Sequence, residues 1–185
     1  MVPLTALWAP ILLSGVLVFF ASFLIHMVLP YHRKDYGRVP SEDAVMDDLR
    51  KYSIPPGDYF VPCAGGPAEM KTPEYKAKVA KGPLLLLTVL PAEAYAMGRR
   101  LVQWLLYTLV VGTIAGHVAA VLGPGAHRSY VFHVAALVAF AGYALALWQN
   151  SIWYSKKWST TVKSTIDGLI YAVITGLMFQ WLWPH

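Results

Sequence analysis

The sequence predicts an all-α membrane protein, a four-transmembrane-helix bundle with a small α/β cytoplasmic cap between helices 1 and 2. Its 185 residues are 57% hydrophobic and only 14% charged, whereas about a quarter of the residues of a soluble domain are charged. Four long tracts carry no charge when histidine is counted as neutral: residues 1–32, 101–127, 129–155 and 168–185. A bilayer core about 30 Å thick takes about 20 apolar residues in a helix. Because the tracts are unbroken rather than alternating, they indicate helices and not barrel strands.

The uncharged tracts predict four spanning helices, at residues 5–29, 99–122, 129–152 and 161–183. The chain then divides into transmembrane helix 1 (1–29), a cytoplasmic cap segment (30–98) and transmembrane helices 2–4 (99–185). The first helix differs from a secretory signal, since it lacks a basic n-region and a small-x-small cleavage site and its apolar core is too long. We therefore expect it to be retained.

The basic residues predict the orientation of the helices. Four spans place segment 30–98 and the turn 153–160 on one face of the membrane, and both termini with the turn 123–128 on the other. Every Lys and Arg except Arg128 belongs to the first face or its boundary, so that face is expected to be cytoplasmic and both termini periplasmic. Tryptophans mark both boundaries, Trp8, Trp181 and Trp183 at the outer one and Trp148, Trp153 and Trp158 at the inner one. The net charge of +5 is assigned to contacts with anionic headgroups, and no nucleic-acid partner is expected.

Small residues recur along three of the helices. Lipid is as apolar as leucine, so helix association depends on close packing and on buried polar contacts. The stripes are Gly112, Gly116 and Ala120 on helix 2, Ala135, Ala139, Gly142 and Ala146 on helix 3, and Gly168, Ala172 and Gly176 on helix 4. They predict close packing of these helices, with a tight turn at residues 123–125 (GPG) joining helices 2 and 3. Helix 1 is bulkier and is expected to lie more peripherally or to face a partner.

The cap segment carries signals of folded structure, and a flexible linker is the alternative. Ser41 precedes an acidic turn and is expected to cap a first helix. Thr72 followed by proline marks the start of a second helix, which should end by Gly82. Residues 58–63 are expected to be extended. Residues 84–90 (LLLLTVL) are too short to span a bilayer and are expected to form a buried strand or an interfacial segment.

Each helix places polar side chains in the cytoplasmic half of the membrane. This polar intramembrane layer consists of His26, Gln103, Gln149, Asn150 and Asp167. Intramembrane ionisable groups are candidates for function. In the structural interpretation these side chains hydrogen-bond the cap or one another, and Asp167 is favoured near a helix start, one turn after Lys163. In the functional interpretation Asp167 orients His26, which then titrates near neutral pH in a ligand or proton site.

Two further histidines are predicted at similar depth toward the outer face. His117 lies five residues before the end of helix 2, and His133 lies near the start of helix 3. Two facing imidazoles can hold a b-type haem or a metal ion. However, His133 points about half a turn away from the small-residue stripe of its helix, and His117 about a quarter turn. Packing, or hydrogen bonding to Thr113 or the backbone, is the alternative.

No catalytic residue is predicted, since the chain has no P-loop, nucleophile elbow, H-E-x-x-H or C-x-x-C motif. The single cysteine, Cys63, excludes a disulfide scaffold and a cysteine zinc site, and no dedicated metal site is expected. Residues 31–36 (YHRKDY), aromatic and mostly basic, are expected to anchor at lipid headgroups. Four helices without a broken pair or an inverted repeat do not favour a transporter.

Several stretches carry a resemblance that covers most of the chain. They are residues 26–36, 42–45 (EDAV), 55–57 (PPG), 101–104 (LVQW) and 151–153 (SIW). In these stretches the chain resembles a group of bacterial four-helix integral membrane proteins with no assigned activity. The resemblance implies a bacterial inner-membrane setting and no catalytic or binding residue.

Together these features predict a non-enzymatic, accessory integral subunit of a larger inner-membrane complex, for example a respiratory or other electron-transport complex. The expected partners are the lipid bilayer and other membrane subunits, and no cofactor is expected. One alternative is a redox subunit that binds haem b through His117 and His133, or a quinone near the inner polar layer. A second alternative is a small membrane enzyme or proton-coupled carrier that uses His26 and Asp167.

Overall fold

A computed structural model describes residues 1–184 and divides the chain into two compact units. One unit, the bundle, contains residues 1–37 and the chain from Met97 onward; the other, the cap, contains residues 38–96. The chain is mostly helical, with one small two-stranded sheet. Residues 30–37, which the sequence analysis assigns to the cap segment, belong to the bundle.

The first membrane-spanning segment, span 1, covers Leu4–Val28. It begins with a 3-10 turn at Leu4–Leu7, continues as α1 (Trp8–Phe23) and ends in one π-helical turn at Leu24–Val28. Leu29 ends the helix because it precedes a proline, which disfavours helical backbone, and it is extended with ψ 137°. A short 3-10 turn at Pro30–His32 follows.

Besides a 3-10 turn at Ala92–Tyr95, the cap consists of three short α-helices and a two-stranded antiparallel sheet. In chain order these are α2 (Glu42–Arg50), β1 (Gly57–Val61), α3 (Pro67–Met70), α4 (Pro73–Lys81) and β2 (Leu85–Val89). The strands pair in register from Gly57 opposite Val89 to Val61 opposite Leu85. This agrees with the expected α/β composition of the cap.

Two local expectations for the cap have different outcomes. Thr72 caps α4 as predicted, since its hydroxyl oxygen accepts a hydrogen bond from the Tyr75 amide at 3.2 Å. Ser41 precedes α2 as predicted but does not cap it: its φ of 52° is left-handed, and its side chain makes no capping hydrogen bond. The LLLLTVL stretch does form a strand, but Leu85 and Leu86 are exposed rather than buried.

The remaining three spans also agree with the sequence. Span 2 is Met97–Leu122, formed by α5 (Met97–Ala119) and a final 3-10 turn. Span 3 is Arg128–Tyr154, and span 4 is Trp158–Trp181, a single helix, α8. Span 3 departs from the expected continuous helix: α6 (Arg128–Tyr143) and α7 (Trp148–Tyr154) are separated by a 3-10 turn at Leu145–Leu147.

Most residues of the small-residue stripes lie where the helices meet, whereas Gly142 and Ala146 are exposed. Helix α1 packs on α5 and α8, and α6 packs on α5 and α8. The stripe residues buried in these contacts are Gly112, Gly116, Ala120, Ala135, Ala139, Gly168, Ala172 and Gly176. Ala146 is exposed instead, because the 3-10 turn interrupts the helical periodicity of span 3. Span 1 is the least buried of the four spans, as expected of a more peripheral helix, although its Ser14, Gly15 and Val18 are buried.

Both chain ends meet the turn between spans 2 and 3. The Val2 amide donates to the carbonyl of Ala120 at 3.0 Å, and the Trp183 indole N–H donates to the carbonyl of Gly123 at 3.1 Å. The Gly125 amide donates to the carbonyl of Pro184 at 3.2 Å. The termini and the 123–125 turn therefore lie at one end of the bundle, as four antiparallel spans require.

Gly168→Ala is expected to lower the melting temperature of the protein. The added Cβ would lie 2.8 Å from the Cβ of Ala144, and overpacking costs about 1–3 kcal/mol, against about 1 kcal/mol that alanine gains over glycine within a helix. Gly98→Ala is the matched control, because a Cβ there meets nothing within 4 Å. Thermal unfolding in detergent, followed by circular dichroism, measures both. Equal melting temperatures for the two variants would contradict the close contact.

Candidate functional site

The fourth span supplies two charged residues to the site. Lys163 and Asp167 lie one turn apart on α8, so their side chains share one face. The Asp167 side chain is only 4% exposed, inside a segment apolar enough to cross a membrane. A buried carboxylate is costly unless it is paired and hydrogen-bonded, so its partners define the site.

The partners of both residues come from the segment that follows span 1. The 3-10 turn at residues 30–32 continues through a bond from the Asp35 amide to the His32 carbonyl, 3.0 Å. It directs Tyr31, His32 and Asp35 toward α8. The expected anchoring of residues 31–36 at lipid headgroups stays a prediction, but the side chains of Tyr31, His32 and Asp35 contact α8. The other three side chains of the segment, Arg33, Lys34 and Tyr36, are exposed.

We call these contacts the polar cluster, made of His26, Tyr31, His32, Asp35, Lys163 and Asp167. His32 joins two carboxylates: its Nδ1 lies 2.6 Å from Asp35 Oδ2 and its Nε2 lies 2.9 Å from Asp167 Oδ2. The Tyr31 hydroxyl donates to Asp167 Oδ1. Lys163 Nζ donates to Asp35 Oδ1 and to the Tyr31 carbonyl, each at 2.6 Å. Lys163 thus pairs with Asp35, and not with Asp167 as the helix spacing suggested.

The two contacts of His32 need a proton or a cation each. A carboxylate only accepts hydrogen bonds, and a neutral imidazole carries a single N–H. The ring can therefore donate to one carboxylate while its other nitrogen faces an acceptor. One more proton, on His32 or on Asp167, or a bound cation therefore has to lie between His32 Nε2 and Asp167 Oδ2. With it, two positive groups, Lys163 and the His32 edge, balance the two carboxylates.

His26 reaches the cluster from the π-helical turn. Its Nδ1 lies 3.0 Å from the Ser22 carbonyl, so the N–H sits on Nδ1 and the lone pair on Nε2. Its Nε2 lies 4.0 Å from Asp167 Oδ2, beyond hydrogen-bond distance. The ring stacks on His32 with centroids 4.5 Å apart and planes 7° apart. Asp167 and His26 do meet, but Ser22 orients His26, and Asp167 binds His32 directly.

Lys163 and His32 favour the ionised form of the Asp35 carboxyl. Burial works to raise its pKa, but hydrogen bonds and charge from Lys163 and His32 outweigh burial, and the pKa lies below the ordinary 3.8. Because its side chain is only 8% exposed, this ion pair is shielded from water. Asp35 thereby holds both Lys163 and His32 in place.

An aromatic pocket of about 400 Å³ adjoins the polar cluster within the bundle. Its lining residues are Ser22, His26, Trp104, Tyr107, Tyr143, Leu147, Ser164, Asp167 and Tyr171. The Trp104 indole N–H and the Tyr171 hydroxyl are buried without a hydrogen-bond partner among the described residues. Ser22 faces the Tyr171 hydroxyl without making a hydrogen bond of normal geometry. This pocket therefore has an ionisable edge at His26 and Asp167, and two of its lining residues, Trp104 and Tyr171, each carry a buried polar atom without a hydrogen bond.

Only part of the predicted polar layer converges on this site. His26 and Asp167 do, whereas Gln103 and Gln149 are exposed on the outside of the bundle. Asn150 is half-buried, and its backbone carbonyl accepts from the Lys156 amide at 3.1 Å. Within residues 1–184, no side-chain hydrogen bond links either glutamine or Asn150 to the polar cluster.

The proposed haem pair, His117 and His133, is exposed on the surface of the bundle. His133 Nδ1 donates to the carbonyl of Ser129 at 2.6 Å, which is the backbone alternative of the sequence analysis. In the part of the chain that the structure describes, no hydrogen bond or ring contact joins the two imidazoles. Haem binding by this pair stays a prediction.

Three site residues, Tyr31, His32 and Asp35, were not singled out as such from the sequence. A signal was present: the i, i+3 spacing of His32 and Asp35 directly after Leu29-Pro30 allows a one-turn contact. What the sequence lacks is any indication that this turn folds back onto span 4.

No protein-family model, curated protein or solved structure matches the chain. The resemblance to bacterial four-helix membrane proteins stays a prediction.

Asp35→Asn is expected to destabilise the bundle by about 1.5–3 kcal/mol, because it removes the charged acceptor of both Lys163 and His32. Asp48→Asn is the control: its exposed pair with Lys51 should contribute less than about 1 kcal/mol. Unfolding in mixed micelles measures both. In a double-mutant cycle, Lys163→Gln should add less to Asp35→Asn than it costs alone, and full additivity would contradict the ion pair.

Proposed function

We propose that this multi-pass membrane protein binds a quinone-class ring in the aromatic pocket. The observation that carries the proposal is the pair of buried polar groups, the Tyr171 hydroxyl and the Trp104 indole N–H, that have no partner among the described residues. An unsatisfied buried donor costs about 1–3 kcal/mol. A ligand that brings acceptor oxygens into the pocket recovers this free energy.

The lining of the pocket favours a flat, largely apolar ligand. Trp104, Tyr107, Tyr143 and Tyr171 form one aromatic group, with ring centroids about 6 Å apart, and aromatic rings pack well against one another in offset and edge-on contacts. The volume of about 400 Å³ lies within the range of small-molecule sites. A quinone combines a flat ring with two carbonyl acceptors and a lipid-soluble tail, and His26 offers a further polar contact at the rim.

Tyr171→Phe is expected to weaken quinone binding about threefold to tenfold, the value of one lost hydrogen bond. The same variant should be at least as stable as the native protein without ligand, because it removes the unsatisfied hydroxyl. The measurement is the rise in melting temperature of the protein in nanodiscs on titration with decylubiquinone, since a ligand that binds the folded state stabilises it.

The control for this experiment is Tyr130→Phe, which removes the hydroxyl of an exposed tyrosine outside the pocket. It should leave the quinone-dependent rise unchanged. Two results contradict the proposal: no rise with the native protein, or the same rise with Tyr171→Phe as with the native protein.

The proposed setting is a bacterial inner membrane, with both termini periplasmic and residues 30–98 cytoplasmic. The support is the distribution of basic residues, since all Lys and Arg except Arg128 belong to residues 30–98, to the turn 153–160 or to the adjoining ends of the spans. In this orientation the polar cluster lies in the cytoplasmic half of the membrane. A bound quinone ring would exchange protons with that side.

A place in a larger electron-transport complex is the second proposal, and the exposed aromatic face of span 1 favours it. Trp8, Phe20 and Phe23 are each about half or more exposed, so they are available to a neighbouring subunit as well as to lipid. Affinity purification in the mildest detergent that extracts the protein should recover it in a particle larger than one chain. Recovery as a monomer, with quinone binding intact, would contradict this proposal and leave the binding proposal standing.

A further inference from the structure

We infer that His26, His32 and Asp167 form a binding site for one divalent transition-metal ion. One ligand atom from each residue lies within 4.8 Å of the other two. Two imidazoles and one carboxylate are a ligand set suited to Zn²⁺, Fe²⁺ or Mn²⁺. No metal or other cofactor is needed for the quinone proposal, and this inference does not depend on it.

In both histidines a hydrogen bond at Nδ1 leaves Nε2, the nitrogen that lies near Asp167, available to bind a metal. His32 Nδ1 is held by Asp35 Oδ2 at 2.6 Å, and His26 Nδ1 is held by the Ser22 carbonyl at 3.0 Å. Metal-binding histidines commonly donate their second ring N–H to a carboxylate or a backbone carbonyl, which fixes the tautomer. Both Nε2 atoms are then free to bind a metal, and both lie near Asp167 Oδ2, at 2.9 and 4.0 Å.

The third ligand, Asp167, is also oriented by a hydrogen bond to the atom that would not bind the metal. The Tyr31 hydroxyl holds Asp167 Oδ1, which leaves Oδ2 as the oxygen that faces the two imidazoles. The 2.9 Å contact between His32 Nε2 and Asp167 Oδ2 requires a shared proton, and a metal ion bound there replaces this proton. Both imidazoles are neutral in the metal-bound form, and Lys163 remains paired with Asp35.

The stacked rings define the one movement that binding requires. Because the rings are stacked with their planes 7° apart, the Nε2 lone pairs of His26 and His32 lie in two separate, nearly parallel planes and do not converge on a point. His26 therefore has to turn out of its stack on His32, and its side chain is 47% exposed, so there is open space for this movement. His32 is 11% exposed and stays in place as the fixed ligand.

The open coordination position would face the aromatic pocket. His26 and Asp167 are both part of the pocket lining, whereas His32 lies on the other side, toward Asp35. A metal with three protein ligands keeps a position for a water molecule or a ligand oxygen. An oxygen-bearing ring in the pocket is placed to take it.

The test is a titration of untagged, chelator-treated protein in nanodiscs with Zn²⁺ by calorimetry, and with Co²⁺ by visible absorption. The expected result is one tight site per chain and the intense absorption of cobalt with low coordination number. His26→Gln should abolish the tight site while leaving the melting temperature of the metal-free protein nearly unchanged. Asp35→Asn should weaken it by about 10- to 100-fold, as the loss of an outer contact does.

His133→Gln is the matched control, since it removes an exposed imidazole that hydrogen-bonds a backbone carbonyl at the i−4 position, as His26 does. It should leave the affinity and the cobalt spectrum unchanged. The inference is overturned if the native protein binds neither ion, or if His133→Gln removes the site and His26→Gln does not. Decylubiquinone binding to metal-free protein is measured separately, so that failure of either proposal is recognised without the other.

Discussion

A carboxylate buried among membrane-spanning helices has to be neutralised, and Asp167 imposes this requirement on the whole bundle. In a medium without water the cost of an unpaired charge is several kcal/mol. Span 4 cannot meet it alone, because the nearest cation on α8, Lys163, is directed to Asp35 instead. The side chains that contact Asp167, Tyr31 and His32, come from the segment after span 1. These contacts explain why residues 30–37 belong to the bundle and not to the cap.

The end of span 1 positions His26, Tyr31 and His32 beside Asp167. Its last turn is π-helical, and π turns often occur at functional sites because they change the direction of side chains locally. This turn carries His26, and the proline directly after Leu29 ends the helix. The chain can then turn back within a few residues, so that Tyr31 and His32 reach α8 while His26 remains at the rim of the pocket.

Close packing fixes where Asp167 lies. The next residue, Gly168, is pressed against Ala144, the residue at which α6 gives way to a 3-10 turn. On the other side of that contact, Tyr143 and Leu147 line the aromatic pocket. The 3-10 turn in span 3 and Gly168 on span 4 therefore pack against each other and together fix the position of Asp167. This packing leaves Asp167 enclosed on the side of the polar cluster and facing open space on the side of the pocket.

Much of the fold follows from the sequence by itself. The four spans, the tight turn between spans 2 and 3, the α/β composition of the cap and most of the small-residue contacts depend on local hydropathy, on charge and on residue size. These properties act along the chain, so they can be read from it. The sequence also indicated His26 and Asp167, because an ionisable group in an apolar tract is conspicuous.

Only the tertiary structure decided which polar groups meet. Gln103, Gln149 and Asn150 have similar predicted depth to Asp167 but do not reach it, while His32 and Asp35, which the sequence analysis placed among lipid headgroups, do. Depth along a helix follows from residue number, whereas rotation about its axis and the path of the chain after Pro30 follow from packing between distant segments. The contact of His32 with Asp167 joins two such segments, and no local pattern specifies it.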